Sequence, residues 1–148
     1  MNRVVITDMN QLSVCGDSLD NFWAAILLEN KCYPQINQLT NKLCFFVSNN
    51  GIYDNRYEDF LRITLIPLLR RLNEEKINLI VGSSFGENKL ILEGTDSLFP
   101  SHDHIEKILK NKLSFYCNLS TACTSSLNAV GYGYNLIKGG ELEHVIVG

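Results

Sequence analysis

The sequence predicts an α/β layered domain in which strands and helices alternate. Three observations carry this. Short apolar or β-branched runs at residues 3–7, 43–48, 77–81 and 145–147 read as strands. Residues 113–120 alternate Leu113, Phe115, Cys117 and Leu119 against Ser114, Tyr116, Asn118 and Ser120, which is the period of a strand. Between these runs lie segments of helical period, punctuated by glycine, proline and asparagine.

Taken in order, the first strand gives way to a turn at Gly16-Asp17. Ser18 then offers an N-cap for a helix over residues 19–29, with Phe22, Ala25, Ile26 and Leu28 on one face and Trp23 at its shoulder. Residues 31–42 are loop-like, and Asn50-Gly51 marks a turn after the second apolar run. Phe60, Leu61, Thr64, Leu65, Leu68 and Leu72 recur at helical spacing over residues 57–72, and Pro67 is expected to kink or split that helix. The strand over 77–81 runs into Gly82-Ser83-Ser84-Phe85-Gly86. Short helices are expected over 88–92 and 105–109, with irregular chain between them. After the alternating strand, residues 124–138 return to helical period, with Leu127, Val130, Tyr134 and Ile137 in one stripe and Gly139-Gly140 as the stop.

At 148 residues the chain is the size of one domain, and with 45% apolar residues it can fill a core. A net charge of -3 leaves no basic footprint for nucleic acid. Arg62, Arg70 and Arg71 share a segment with Glu58, Asp59, Glu74 and Glu75, as on a solvated helix face. The N-terminus carries no signal-peptide pattern, and no apolar stretch reaches membrane-spanning length. The cysteines are Cys15, Cys32, Cys44, Cys117 and Cys123, an odd number without a CxxC pair. That argues against a zinc ribbon or a disulfide framework and for a reducing, cytoplasmic setting, with the first four as structural thiols. His102, His104 and His144 read as solvated or structural.

Cys123 differs from the other cysteines. It lies where the alternating strand hands over to a helix, between the small residues Ala122 and Thr124. A sulfur there meets unpaired backbone N–H groups and the positive end of the helix, which favour a thiolate. Gly131 and Gly133 weaken that helix by about 1 kcal/mol each relative to alanine, so both are expected at close approaches to neighbours.

The segment Thr121-Ala122-Cys123-Thr124-Ser125-Ser126, with the helix ending Ile137-Lys138-Gly139-Gly140 and the run Val145-Ile146-Val147-Gly148, resembles the nucleophile segment of β-ketoacyl-acyl-carrier-protein synthases. Val4-Val5-Ile6-Thr7 with Ser13, Gly16, Phe22 and Trp23 resembles that family's opening, and Ile80 to Gly86 its third-strand segment. The resemblance implies a thiolase-like fold, one half of a five-layer αβαβα architecture with a mostly parallel mixed sheet. Residues 1–148 would be an N-terminal ketosynthase-like domain without its C-terminal half. It implies that Cys123 is the nucleophile that takes up the acyl group and that its backbone N–H is one oxyanion donor. The reaction implied is a decarboxylative Claisen condensation between the acyl thioester on Cys123 and a malonyl thioester on acyl-carrier protein, as in fatty-acid and polyketide biosynthesis. The partners implied are acyl-carrier protein and a second subunit, in a homodimer or heterodimer paired through the strand at 113–120. No cofactor is implied beyond the phosphopantetheine arm of the substrates.

The chain departs from the family in three places. The family's catalytic histidines lie in a C-terminal half that is absent here, Asp8-Met9-Asn10 stands where Gly-Met-Gly is usual, and the stretch from Gly82 to Cys123 is short. A non-catalytic ketosynthase-like partner or scaffold subunit is therefore the alternative expectation. A cysteine hydrolase is a third, and it requires a histidine at hydrogen-bond distance from the sulfur.

Overall fold

Alternating strands and helices are found, and the parallel pairing that such alternation favours is present. The computed structural model describes residues 2–13, 15–28, 35–37, 41–44, 56–72, 75–84, 94 and 99–148. In chain order its elements are α1 (Leu19–Leu27), β1 (Gln35–Asn37), β2 (Lys42–Cys44), α2 (Arg56–Leu72), β3 (Ile77–Gly82) and α3 (His102–Ile108). There follow β4 (Leu113–Leu119), a 3₁₀ turn (Ala122–Thr124), α4 (Ser125–Gly139) and β5 (Ile146–Val147). They divide between two compact units, one of Thr7–Leu72 and one of Met1–Ile6 with Asn73–Gly148. Among the described residues, no helix is long and apolar enough to cross a membrane. The turn expected at Asn50-Gly51, the helix expected over 88–92 and the end of the glycine segment at Phe85-Gly86 lie outside the described residues.

In the first unit Ser18 caps α1 as expected, its hydroxyl accepting from Asn21 N at 3.2 Å. The apolar face of α1 does not become core. No α1 residue is buried, and Trp23, Ile26 and Leu27 are exposed. β1 and β2 form an antiparallel pair with Ile36 opposite Leu43. α2 is one helix that runs through Pro67 rather than splitting there. Proline removes only one N–H, and burial of Leu61 and Leu65 supplies the packing that holds most protein helices. Near its end Arg71 grips Asp8 with two hydrogen bonds, Nε to Oδ2 at 2.6 Å and Nη2 to Oδ1 at 3.1 Å. So Arg71 is a bonded cation and not just part of a solvated face. Asn10 Nδ2 adds a second tie to the same helix, donating to Thr64 O at 3.0 Å.

The second unit is built on a sheet of order β4-β3-β5, with both pairings parallel. β3 is central and buried on both faces, as parallel strands usually are. Its Ile80 joins Ala129 and Leu136 of α4 in a core cluster, and Phe115, Cys117, Leu119, Val145 and Val147 pack against it. The alternation seen in residues 113–120 thus marks the face on which α4 lies. Asn78, also buried, donates to His144 O at 3.0 Å, and His144 Nε2 meets Lys76 O at 3.0 Å. These two contacts fasten the approach to β5 at the start of β3. α3 starts earlier than expected, at His102, because the Ser101 hydroxyl caps it by accepting from His104 N at 3.2 Å. Residues 3–7 form no strand, and Val5 and Ile6 are exposed. A β-branched run becomes a strand only when another strand offers its backbone a ladder, and neither sheet pairs with this run.

Of the two close approaches expected of α4, at Gly131 and Gly133, the described residues show the one at Gly133. A Cβ on Gly133 would lie 2.8 Å from Val147 Cγ1 and 3.1 Å from Val145 Cγ1, whereas among the described residues nothing lies within 4 Å of one on Gly131. Gly140 ends the helix at φ 80°, its N–H donating to Ile137 O at 3.1 Å.

Two predictions follow from these contacts. Gly133→Ala should destabilise the fold by about 1–3 kcal/mol, since the valines that obstruct it are β-branched and stiff. Urea denaturation followed by circular dichroism measures this, and unchanged stability would contradict the packing described. The Arg71 guanidinium beside Asp8 holds that carboxyl below the usual carboxylate range. A depressed native value stabilises the fold above the unfolded pKa, about 3.9. The contribution disappears as pH falls through the lower native value. Thermal melts from pH 7 down to pH 2 should show Asp8→Asn with a weaker acid dependence than the parent. Salt should narrow the difference, because the pair is partly exposed.

Candidate active site

The sheet's strand ends determine where chemistry can sit. In parallel sheets, ligands are met beyond the C-terminal strand ends. β3 and β4 both deliver their chain to that edge, at Gly82-Ser83-Ser84 and Ser120-Thr121. Ser83 N extends the ladder by donating to Leu119 O at 3.0 Å. The chain then reverses into α4 through a tight turn, with Cys123 in the middle.

The turn is pinned by hydroxyls. Ser125 is buried; its Oγ accepts from Thr121 N at 2.9 Å and donates to Ala122 O at 2.6 Å. Ser84 Oγ, arriving from the end of β3, donates to the same carbonyl at 2.7 Å. Thr124 Oγ1 donates to Thr121 O at 2.8 Å, and Asn128 Nδ2 donates to Thr121 Oγ1 at 2.7 Å. The start of α4 also presses directly on β3. A Cβ on Gly82 would overlap the Ser125 carbonyl and lie 2.6 Å from Ser126 N, so only glycine fits.

Ala122 has φ 54°, in the left-handed region that non-glycine residues avoid. Strain of this kind persists where surrounding bonds over-determine the backbone, and the hydroxyls on either side of Ala122 do so here. The sequence suggested only that small neighbours permit a tight turn and did not single out Ala122. Serines at 84, 120, 125 and 126 were the available signal, since they crowd both arms of the turn.

Cys123 sits one residue after this kink, in the 3₁₀ turn that precedes α4, and is a free, exposed thiol. Its backbone N–H has no backbone acceptor among the described residues. No side chain caps the start of α4 either. The strand-to-helix placement expected of Cys123 is therefore present, with a donor beside the sulfur. Cys117 is the contrast. It is half-buried against the core cluster, and burial pushes its thiol pKa up. Cys15 is disulfide-bonded and is not the free structural thiol expected. Cys32 and the Cys44 side chain lie outside what is described.

None of the three histidines hydrogen-bonds to Cys123. His144 lies at the N-terminal end of the parallel strands, a strand length of ~20 Å from the elbow. His102 Nδ1 faces Asp103 and Glu106, each at 3.9 Å. The ligand atoms of these three residues lie within 4.8 Å of one another and are the one group among the described residues with metal-ligand spacing. His102 and Asp103 sit exposed on the first turn of a short helix and Glu106 is half-buried one turn on, and the positive end of that helix disfavours a cation.

No family model matches the chain, and no curated protein and no solved structure matches it.

A prediction separates strain from support at the elbow. Ala122→Gly removes the left-handed penalty and should stabilise the fold by about 1 kcal/mol. Ser125→Ala strips a partner from both Thr121 N and Ala122 O and should cost about 1–3 kcal/mol. Paired urea titrations read both, and an Ala122→Gly variant less stable than the parent would count against a left-handed Ala122.

Proposed function

We propose that this chain is the nucleophile-bearing part of a thiolase-fold condensing enzyme of the β-ketoacyl synthase class, with Cys123 as its acyl acceptor. The observation that carries the reading is the exposed Cys123 thiol on a hydroxyl-pinned, left-handed turn at the C-terminal edge of a parallel sheet. The resemblance of residues 121–126 to the family's nucleophile segment supports it.

In that chemistry the Cys123 thiolate attacks the carbonyl carbon of an acyl-phosphopantetheine thioester carried by acyl-carrier protein. The carbonyl oxygen becomes an oxyanion, for which the Cys123 N–H, without a backbone acceptor among the described residues, is a donor. The carrier's thiolate leaves, and the acyl group stays on the sulfur. A malonyl thioester then loses carbon dioxide, and its enolate carbon attacks the acyl-enzyme. The carbon–carbon bond forms and the Cys123 thiolate leaves. Sulfur suits both steps, being a good nucleophile and a good leaving group.

The architecture that goes with this reading has five layers, αβαβα, of which the second unit supplies one half. α4 would be the central layer. Its exposed apolar side chains, Leu127, Val130 and Tyr134, support that position, since a solvent-facing helix normally turns charge outward. The expected stripe of Leu127, Val130, Tyr134 and Ile137 is thus not the one that meets this unit's sheet. The buried α4 residues are Ser125, Ala129, Gly133 and Leu136.

The second reading is a non-catalytic ketosynthase-like partner subunit, for which the departures from the family at Asp8-Met9-Asn10 and in the short stretch from Gly82 to Cys123 speak. No described histidine hydrogen-bonds to Cys123, the contact a cysteine hydrolase requires. Acyl-carrier chemistry implies a cytoplasmic setting, and the disulfide at Cys15 is the observation that pulls against it.

The test is acyl transfer. Incubated with an acyl thioester of acyl-carrier protein, the full chain should gain the mass of one acyl group, mapped by peptide mass spectrometry to Cys123 and abolished in Cys123→Ala. Cys117 should stay unmodified. If Cys123 reacts with iodoacetamide but never with the thioester, the partner reading replaces the enzyme reading.

A further inference from the structure

The Ala122 carbonyl accepts more hydrogen bonds than its satisfaction requires. The Ser125 N–H donates to it across the 3₁₀ turn, and Ser125 Oγ donates to it at 2.6 Å. Those bonds already use its two lone pairs. Ser84 Oγ, at the end of β3, nevertheless adds a third at 2.7 Å. Ser84 is exposed, so its hydroxyl has water as an alternative partner. Ser120 Oγ donates to Ser84 O at 3.4 Å and ties down the backbone that carries this hydroxyl. Satisfying the carbonyl therefore does not account for Ser84. The Ala122 carbonyl and the Cys123 N–H are the two ends of one trans peptide unit. They point in opposite directions across a rigid plane. Holding the oxygen toward Ser84 therefore aims the N–H the other way, where it meets no backbone acceptor among the described residues. Donors on the oxygen also draw electron density from the nitrogen through amide resonance. Hydrogen bonds linked in this way strengthen one another by ~10–30% each.

We propose that Ser84 is a positioning residue for the Cys123 N–H, which it aims and strengthens, through the Ala122 carbonyl, as a donor to an oxyanion forming at the sulfur. Ser125 acts on the same carbonyl, but it is buried and also holds Thr121 N, so its loss disturbs the turn itself. Ser84 is the hydroxyl that can be removed from the outside. For its natural reactant this inference rests on the acyl-acceptor reading. Its signature is confined to reactions that pass through an oxyanion. With p-nitrophenyl acetate, the Cys123 sulfur bonds to the carbonyl carbon and the C=O electron pair moves onto oxygen. Return of that pair expels p-nitrophenolate and leaves an acetyl thioester. With iodoacetamide, the sulfur bonds to the methylene carbon as iodide leaves, and no oxyanion forms. Both reagents need the thiolate and access to it, so the ratio of their rates isolates the N–H.

Both rates are read on the full chain by peptide mass spectrometry at Cys123. Losing a whole oxyanion donor costs ~10²–10³-fold in rate, and ~10–30% of that free energy is a ~2–8-fold change. Ser84→Ala should therefore lower the ester-to-iodoacetamide ratio ~2–8-fold, with the iodoacetamide rate itself unchanged. Ser84→Thr keeps the hydroxyl and should restore the ratio, and circular dichroism of both variants should match the parent. An unchanged ratio in Ser84→Ala overturns the proposal. So does a ratio that Ser84→Thr fails to restore, or an equal fall in both rates, which would make Ser84 a structural residue that governs the thiolate or its access. A parent Cys123 that iodoacetamide alkylates and the ester never acetylates overturns it too. The carrier-protein thioester reads out separately. If Cys123 ignores that thioester while the ratio depends on Ser84, the condensing-enzyme reading fails and the role of Ser84 stands. If the thioester acylates Cys123 while the ratio ignores Ser84, the reverse holds.

Discussion

The contact between the end of β3 and the start of α4 determines the rest of the second unit. Gly82 lies so close to the Ser125–Ser126 peptide that no side chain can be inserted. That approach brings Ser84 within hydrogen-bond reach of Ala122 and lets one buried hydroxyl, that of Ser125, bridge both sides of the turn. Were the helix any distance further from the sheet, these bonds would open together, and nothing would hold Ala122 in a region it does not favour. The glycine acts by what it lacks, and the serines turn that closeness into a defined backbone.

The same contact explains why the sheet and the thiol are one problem. β3 is buried on both faces and fixes the position of its neighbours through the ladder. Gly133, a little over two turns into α4, meets Val145 and Val147 beside β5, as Gly82 meets the helix start at the other end of β3. Two glycines at two heights therefore set how α4 lies on the sheet, and the direction in which Cys123 leaves it follows from that. Changes at Gly133 would be felt at the elbow through the helix as a rigid body.

Much of this was legible in the sequence, and the failures have physical causes. The strand at 113–119 was readable because alternation reports a half-buried face directly, and Phe115, Cys117 and Leu119 do pack on the core. Ser18 and Gly140 were readable because caps are local chemistry. Residues 3–7 misled because β-branching reports propensity, while a strand needs a partner that propensity cannot name. Pro67 does not split its helix, because the missing N–H is a local cost and helices are held by packing. At α4 the helical period was readable, but the apolar stripe did not say which face meets the sheet; the contact face uses Ser125, Ala129 and Gly133, which are small because the sheet is close. At the candidate site, the position of Cys123 was readable from the strand-to-helix junction, whereas the strain at Ala122 was not, because φ depends on bonds made by Ser84, thirty-eight residues away.

Alanine at position 122 narrows the reading of the elbow further. Glycine would take φ 54° without penalty, and a turn needed only for chain reversal would gain by using it. Alanine keeps a Cβ that disfavours this conformation but also removes the freedom glycine would have on the other side of φ. A left-handed alanine held by two hydroxyls has one accessible geometry, while a glycine held by the same hydroxyls has several nearby. The cost in stability therefore goes with a narrower distribution of positions for the next residue. A disulfide half or a core-filling thiol gains nothing from that restriction, since its bond or its cavity already fixes it. A free, exposed sulfur has no such anchor. It gains from a fixed approach angle when something must reach it along one path, and under the proposed acyl-acceptor reading that reactant would be an acyl thioester presenting its carbonyl carbon to the sulfur and its oxygen to the Cys123 N–H.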